Sequence, residues 1–173
     1  DEQNVPDRAA FTKRYGRVWL AAGIVLYVAA IGIAVALGLA GAAYLLLPLA
    51  VALLYSVGGV KQIFLVKNLF VGLAWGALPL GIGYYYGSIG SRSVLFMFAY
   101  VTLMIAIAAV IFDVKDIEGD REENIPTVPN QLGPRATRLS SFVATIAVAA
   151  AVVALVVTGT LPRRFLAVLV MNA

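Results

Sequence analysis

The chain has no cysteine and no histidine. The first absence removes disulfides, thiolate nucleophiles and cysteine-based zinc centres. The second removes imidazole acid–base chemistry and histidine metal ligands. Charge is scarce as well: charged residues make up 13% of the 173 positions against 62% hydrophobic, and the mean hydropathy is +0.93. That balance lies far from a soluble domain and describes a polytopic, all-α membrane protein. Any chemistry must run on carboxylates, Lys, Arg, Tyr and Asn. The net charge of +4 is modest and sits at the ends of apolar runs, a pattern that suits membrane orientation and not nucleic acid.

The apolar residues fall into long stretches at 18–37, 42–57, 63–87, 93–112 and 139–158, with a sixth beginning near Phe165. Crossing a hydrocarbon core of about 30 Å takes about 20 helical residues. The expectation is therefore a transmembrane bundle of about five complete helices plus part of a sixth, with 42–57 the short member. Gly72, Gly76, Gly81 and Gly83 fit closely packed membrane helices. Pro48 and Pro79 are expected to kink theirs. The start at Asp1 in polar sequence and the stop at Ala173 in an apolar run lead to the expectation of an internal piece of a longer protein.

Counting spans places the polar start, the segment 58–61 and the segment 113–138 on one face. That face collects ten cations, among them Arg8, Arg17, Lys61, Lys67, Lys115 and Arg121, and leaves only Arg92, Arg163 and Arg164 opposite. The positive-inside rule makes the cation-rich face cytoplasmic, in a multi-pass protein of the cell membrane. Arg163 and Arg164 run against the rule.

The chemistry concentrates after the fourth apolar run, in Asp113-Val-Lys-Asp116-Ile-Glu118-Gly-Asp120-Arg121. Charge at a bilayer edge is costly unless wet or paired. On one continuous helix Asp113, Asp116 and Asp120, three and four apart, share a face. Three carboxylates on one point make a hard-oxygen site of the kind that holds Mg2+ with a phosphate-bearing substrate. The same spacing also suits a solvated helix end with ordinary ion pairs. Glu118 points to another face and reads as solvated. Lys61 and Lys67 stand near a helix start, where cations commonly snorkel, a reading that weighs more for Lys67. Tyr84, Tyr85 and Tyr86 read as an interfacial aromatic belt, and Trp75 as a packing residue.

With its continuation Ile125-Pro-Thr127-Val-Pro129 and Leu132-Gly133, this run resembles the second aspartate-rich motif of the UbiA family of intramembrane prenyltransferases. The opening Asp1-Glu-Gln-Asn4-Val-Pro6-Asp-Arg8 is similar to the end of the family's first motif. Tyr55-Ser56 with Lys61, then Lys67-Asn68, is similar to its Tyr/Lys segment. The resemblance covers the whole chain as a single prenyltransferase domain, residues 1–173, corresponding to helices three to seven and part of eight of a nine-helix fold. It implies Mg2+ and the diphosphate of a polyprenyl donor bound between facing motifs, with ionisation and capture by a small acceptor. Carried over, Asp113, Asp116 and Asp120 are catalytic metal or diphosphate ligands and Asp1 is the metal ligand left of the facing motif. Asn4, Arg8, Lys61, Asn68 and Arg121 bind diphosphate, Lys61 also serving catalysis. The earlier Asn and Asp of the first motif are absent, which implies that these residues alone make a poor catalyst. Acceptor identity and donor length stay open.

Two other function classes account for part of this pattern. An ion-coupled transporter places its charges near the midplane in broken helices, whereas these gather at one edge. A structural membrane subunit accounts for the helices but not for the aspartate spacing.

Overall fold

The computed structural model describes residues 6–57 and 59–170. Every regular element among them is helical: α1 (Pro6–Ala36), α2 (Leu46–Val57), α3 (Val66–Tyr85), α4 (Arg92–Phe112), α5 (Ile117–Glu122), α6 (Val128–Val157) and α7 (Ala167–Val170). Short 3-10 turns join them at Ala40–Leu45, Val60–Gln62, Asp113–Lys115 and Arg163–Leu166. Four spans, Ala10–Ala36, Val66–Tyr85, Arg92–Lys115 and Val128–Val157, are long and apolar enough to cross a bilayer. The all-α membrane bundle expected from hydropathy is the fold found.

The departures have local causes. The short run at 42–57 opens as a 3-10 turn, so α2 proper has only 12 residues. Pro48 then falls in the first turn of α2, where no intrahelical donor is lost and no kink is required. Pro79 does lie inside α3. The last long helix starts eleven residues before its apolar run. Thr127 caps it, its hydroxyl accepting from Asn130 N–H at 3.3 Å. A break at Gly133 (φ 81°, ψ 162°) then reorients α6, a backbone shape that favours glycine. Thr137 braces the break by donating to the Gly133 carbonyl at 2.8 Å. Of the sixth run, the described residues form only the turn at Arg163–Leu166 and α7.

Lipid tails are as apolar as leucine, so close packing of small residues carries much of helix association. The tightest seam is α3 on α4. A methyl at Gly72 would collide with the Thr102 carbonyl oxygen, and one at Gly76 with the Thr102 hydroxyl. At Gly83 it would meet Val94 Cγ1 at 2.6 Å. Thr102 is buried in the seam. Aromatic contacts tie the end where α3 finishes and α4 starts. Tyr44 and Tyr84 rings lie 5.3 Å apart, Phe96 meets Phe165 edge-on at 5.1 Å, and the Tyr100 hydroxyl donates to the Val168 carbonyl at 3.1 Å. Tyr84, Tyr85 and Tyr86 are exposed there. The α3–α4 seam sets which residues meet at the other end.

Candidate functional site: a lysine held between two aspartates

Lys67 and Asn68 occupy the first turn of α3, and Leu65 before them takes a left-handed conformation (φ 60°, ψ −26°). Such a backbone is costly for a branched side chain and persists where surrounding structure enforces it. Beyond it the helix turns Lys67 and Asn68 inward, where they are 5% and 4% exposed. Burying an ammonium this deeply is tolerable only with a partner.

The partners come from the end of α4. The chain leaves α-helical form after Phe112, tightens through Asp113–Lys115, and resumes as α5 only after Asp116 (φ −104°, ψ 13°). Asp120 N–H donates to the Asp116 carbonyl at 2.8 Å, and Ile125 N–H to the Asp120 carbonyl at 2.7 Å. This folding-back brings two carboxylates to one cation. Lys67 Nζ lies 3.0 Å from Asp113 Oδ1 and 3.3 Å from Asp120 Oδ2. Asn68 Nδ2 donates to Asp113 Oδ2 at 2.9 Å. Burial pushes the Asp120 carboxyl above its usual range; the Lys67 ammonium pulls it down, and the charges of Asp113 and Asp116 add to the rise.

The expected shared face of Asp113, Asp116 and Asp120 is corrected by this geometry. Spacings of three and four align side chains only on an uninterrupted helix, and here the helix is interrupted at Asp113–Asp116. Asp116 is exposed at the junction, as are Glu118 and Arg121. Among the described residues no three carboxylates converge closely enough to hold a metal by themselves. Lys61 is on the turn Val60–Gln62 and Arg8 is in the first turns of α1, but their side chains, like the whole of Asp1 and Asn4, lie outside the described residues. Lys67, read from sequence as a snorkelling cation, is the centre of the cluster. One signal pointed to it: the lysine stands within an apolar run, where an ionisable group requires a partner.

The donor set suits a hard cation. Mg2+ is commonly held by one or two carboxylates, with waters and substrate phosphates completing its shell, and Asp113 and Asp120 supply two. An apolar cavity of about 200 Å3 lies between α2 and α3, lined by Val51, Ala52, Tyr55, Val71, Ala74 and Trp75. Trp75 is 55% exposed at its edge, so it is not the packed mid-helix residue expected. Val71 follows Lys67 by one turn of α3, so polar cluster and cavity share a helix.

A family model for UbiA prenyltransferases matches residues 1–173. The chain belongs to the UbiA prenyltransferase family. Comparisons with curated proteins and with solved structures gave no match. Membership indicates prenyl transfer as the class of activity, and with four long apolar helices it makes this a multi-pass membrane protein. In a prenyltransferase of this family, the buried cluster stands where α4 gives way to the aspartate-rich segment.

Proposed function

We propose that this UbiA family protein transfers a polyprenyl group from a prenyl diphosphate to a small acceptor, with the diphosphate held at the Lys67 end of the bundle. The observation that carries the reading is the convergence of Asp113 and Asp120 on Lys67, with Asn68 fixing Asp113. Two carboxylates around one ammonium leave a net negative pocket that calls for a cation. Asp113 and Asp120 would hold Mg2+, with Asp116 and the Asp1 segment as further carboxylates. When bound, the ion neutralises diphosphate charge and favours its departure.

The chain's own groups do the rest. Lys67 has three N–H donors; two are directed at the aspartates, and the third is left for a phosphate oxygen. Asn68 holds Asp113 in one orientation. Arg121, with Arg8, Asn4 and Lys61, supplies outer positive charge and donors for the remaining phosphate oxygens. The cavity between α2 and α3 offers an apolar path for the prenyl tail. The positive-inside rule places this end at the cytoplasmic face of the cell membrane.

The test is mass spectrometry of products from the full-length protein in membranes supplied with Mg2+ and several prenyl diphosphates. Wild type yields prenylated acceptor and free diphosphate, and D113N/D120N yields neither. Transfer undiminished in the double variant would sink the assignment of this cluster.

A further inference from the structure

The opposite end of the bundle carries a second, unrelated charge pattern. Arg92, Arg163 and Arg164 are all exposed there. The segments that turn at this end, 37–45, 86–91 and 158–166, contain no Asp or Glu. Of the described carboxylates, Asp7 opens α1 and the others fall between Asp113 and Glu123, all at the Lys67 end. Three arginines therefore share this end without acidic partners among the described residues, on the face where the positive-inside rule disfavours them.

Packing holds two of them in place. The Arg163–Leu166 turn is pinned by Leu161, 4% exposed, and Phe165, 9% exposed. Leu161 N–H donates to the Leu155 carbonyl at 3.0 Å and Phe165 N–H to the Pro162 carbonyl at 3.0 Å. Phe165 seats edge-on against Phe96 at 5.1 Å. Phe96 follows Arg92 by one turn of α4, so this contact brings the segments that carry all three arginines to one corner. Around them the surface is apolar: Leu95 is 50% and Val157 79% exposed. Tyr85 and Tyr86, 62% and 74% exposed, mark the level of the membrane interface. A guanidinium pairs with phosphate in bidentate fashion and is more weakly hydrated than an ammonium.

We propose that Arg92, Arg163 and Arg164 form a binding site for the headgroup phosphate of an anionic phospholipid in the leaflet at this end. The acyl chains lie along the exposed apolar flanks of α4 and α6. The ligand must be amphipathic, because this end exposes leucine and valine side chains as well as the cations. The site is separate from the Lys67 cluster and does not depend on the reaction proposed there.

The experiment uses the full chain in nanodiscs of phosphatidylcholine containing a photoreactive phosphatidylglycerol, with labelled peptides mapped by mass spectrometry. Labelling is expected on the peptides carrying Arg92 and Arg163–Arg164, and excess unlabelled phosphatidylglycerol should suppress it. Each Arg→Gln change should lower it by up to about fivefold, as one basic group near an anionic surface contributes. R163K/R164K should keep more labelling than R163Q/R164Q. Three results would overturn the proposal: equal labelling by a phosphatidylcholine probe, unchanged labelling in R92Q/R163Q/R164Q, or competition by inorganic phosphate as effective as that by phosphatidylglycerol. None of these readouts involves prenyl transfer, so either proposal can fail alone.

Discussion

Lys67 Nζ lies 3.0 Å from Asp113 Oδ1, with the lysine side chain 6% exposed and the aspartate 13%. The contact joins the first turn of α3 to the break after α4, and Asp120 closes on the same ammonium from α5. Three charges share a space with little water. Removing the ammonium leaves two neighbouring carboxylates without their cation, which makes the cluster most sensitive at Lys67.

K67M should therefore destabilise the protein sharply, since two neighbouring carboxylates lose their common cation. Losing one partner of a buried pair costs roughly 3 kcal/mol or more. The readout is the thermal midpoint in detergent micelles. K67M/D113N should recover part of the loss, because one surplus negative charge is then gone. Equal midpoints for wild type and K67M would show that the ion pair contributes no stability.

N68A removes the hydrogen bond that orients Asp113. A bond to a charged acceptor contributes about 1.5–3 kcal/mol, and groups that orient a metal ligand typically govern activity by about 10–100-fold. Prenyl transfer at limiting Mg2+ is expected to fall by at least about tenfold, with excess Mg2+ restoring part of it. A loss of the same size at every Mg2+ concentration would argue against an orienting role.

Two glycines give opposite expectations. G72A drives a methyl into the Thr102 carbonyl across the α3–α4 seam, and overpacking of this kind costs about 1–3 kcal/mol or more. Gly23 in α1 has nothing within 4 Å of an added Cβ, so G23A should be neutral or stabilising by up to about 1 kcal/mol. Comparing the two midpoints isolates the seam. Similar behaviour of the two variants would mean that the close approach is not needed.

The raised carboxyl of Asp120 predicts a pH dependence of stability. Its folded-state pKa lies above the ordinary 3.8, chiefly because burial disfavours the charged form. Proton binding to this group therefore favours the folded state. The contribution is fully present below 3.8 and is lost as pH rises through the folded-state value. In metal-free buffer, D120N should flatten the fall of the midpoint across that window. A steeper fall in the variant would reverse the sign argued here.

The aspartates and their order along the chain were readable without a structure, and so was the family resemblance they carry. Their arrangement was not. Asp113, Asp116 and Asp120 have helical spacing, yet only Asp113 and Asp120 pair with Lys67 while Asp116 is exposed at the junction, because the chain tightens and turns before α5 and periodicity does not report an interruption. Asn68 was legible as a pocket residue only through resemblance, and its bond to Asp113 spans 45 positions.

By itself the sequence determined the membrane class, the positions of most spans and the concentration of carboxylates at one end. Hydropathy and charge are local properties, and a bilayer sorts them residue by residue. Only the tertiary structure decided which cation faces the aspartates, and that Phe165 brings Arg163 and Arg164 to the corner held by Arg92. Those outcomes depend on how deeply α3 and α4 approach at Gly72 and Gly76 and on where the backbone breaks. Such contacts join distant segments, and no local pattern encodes them.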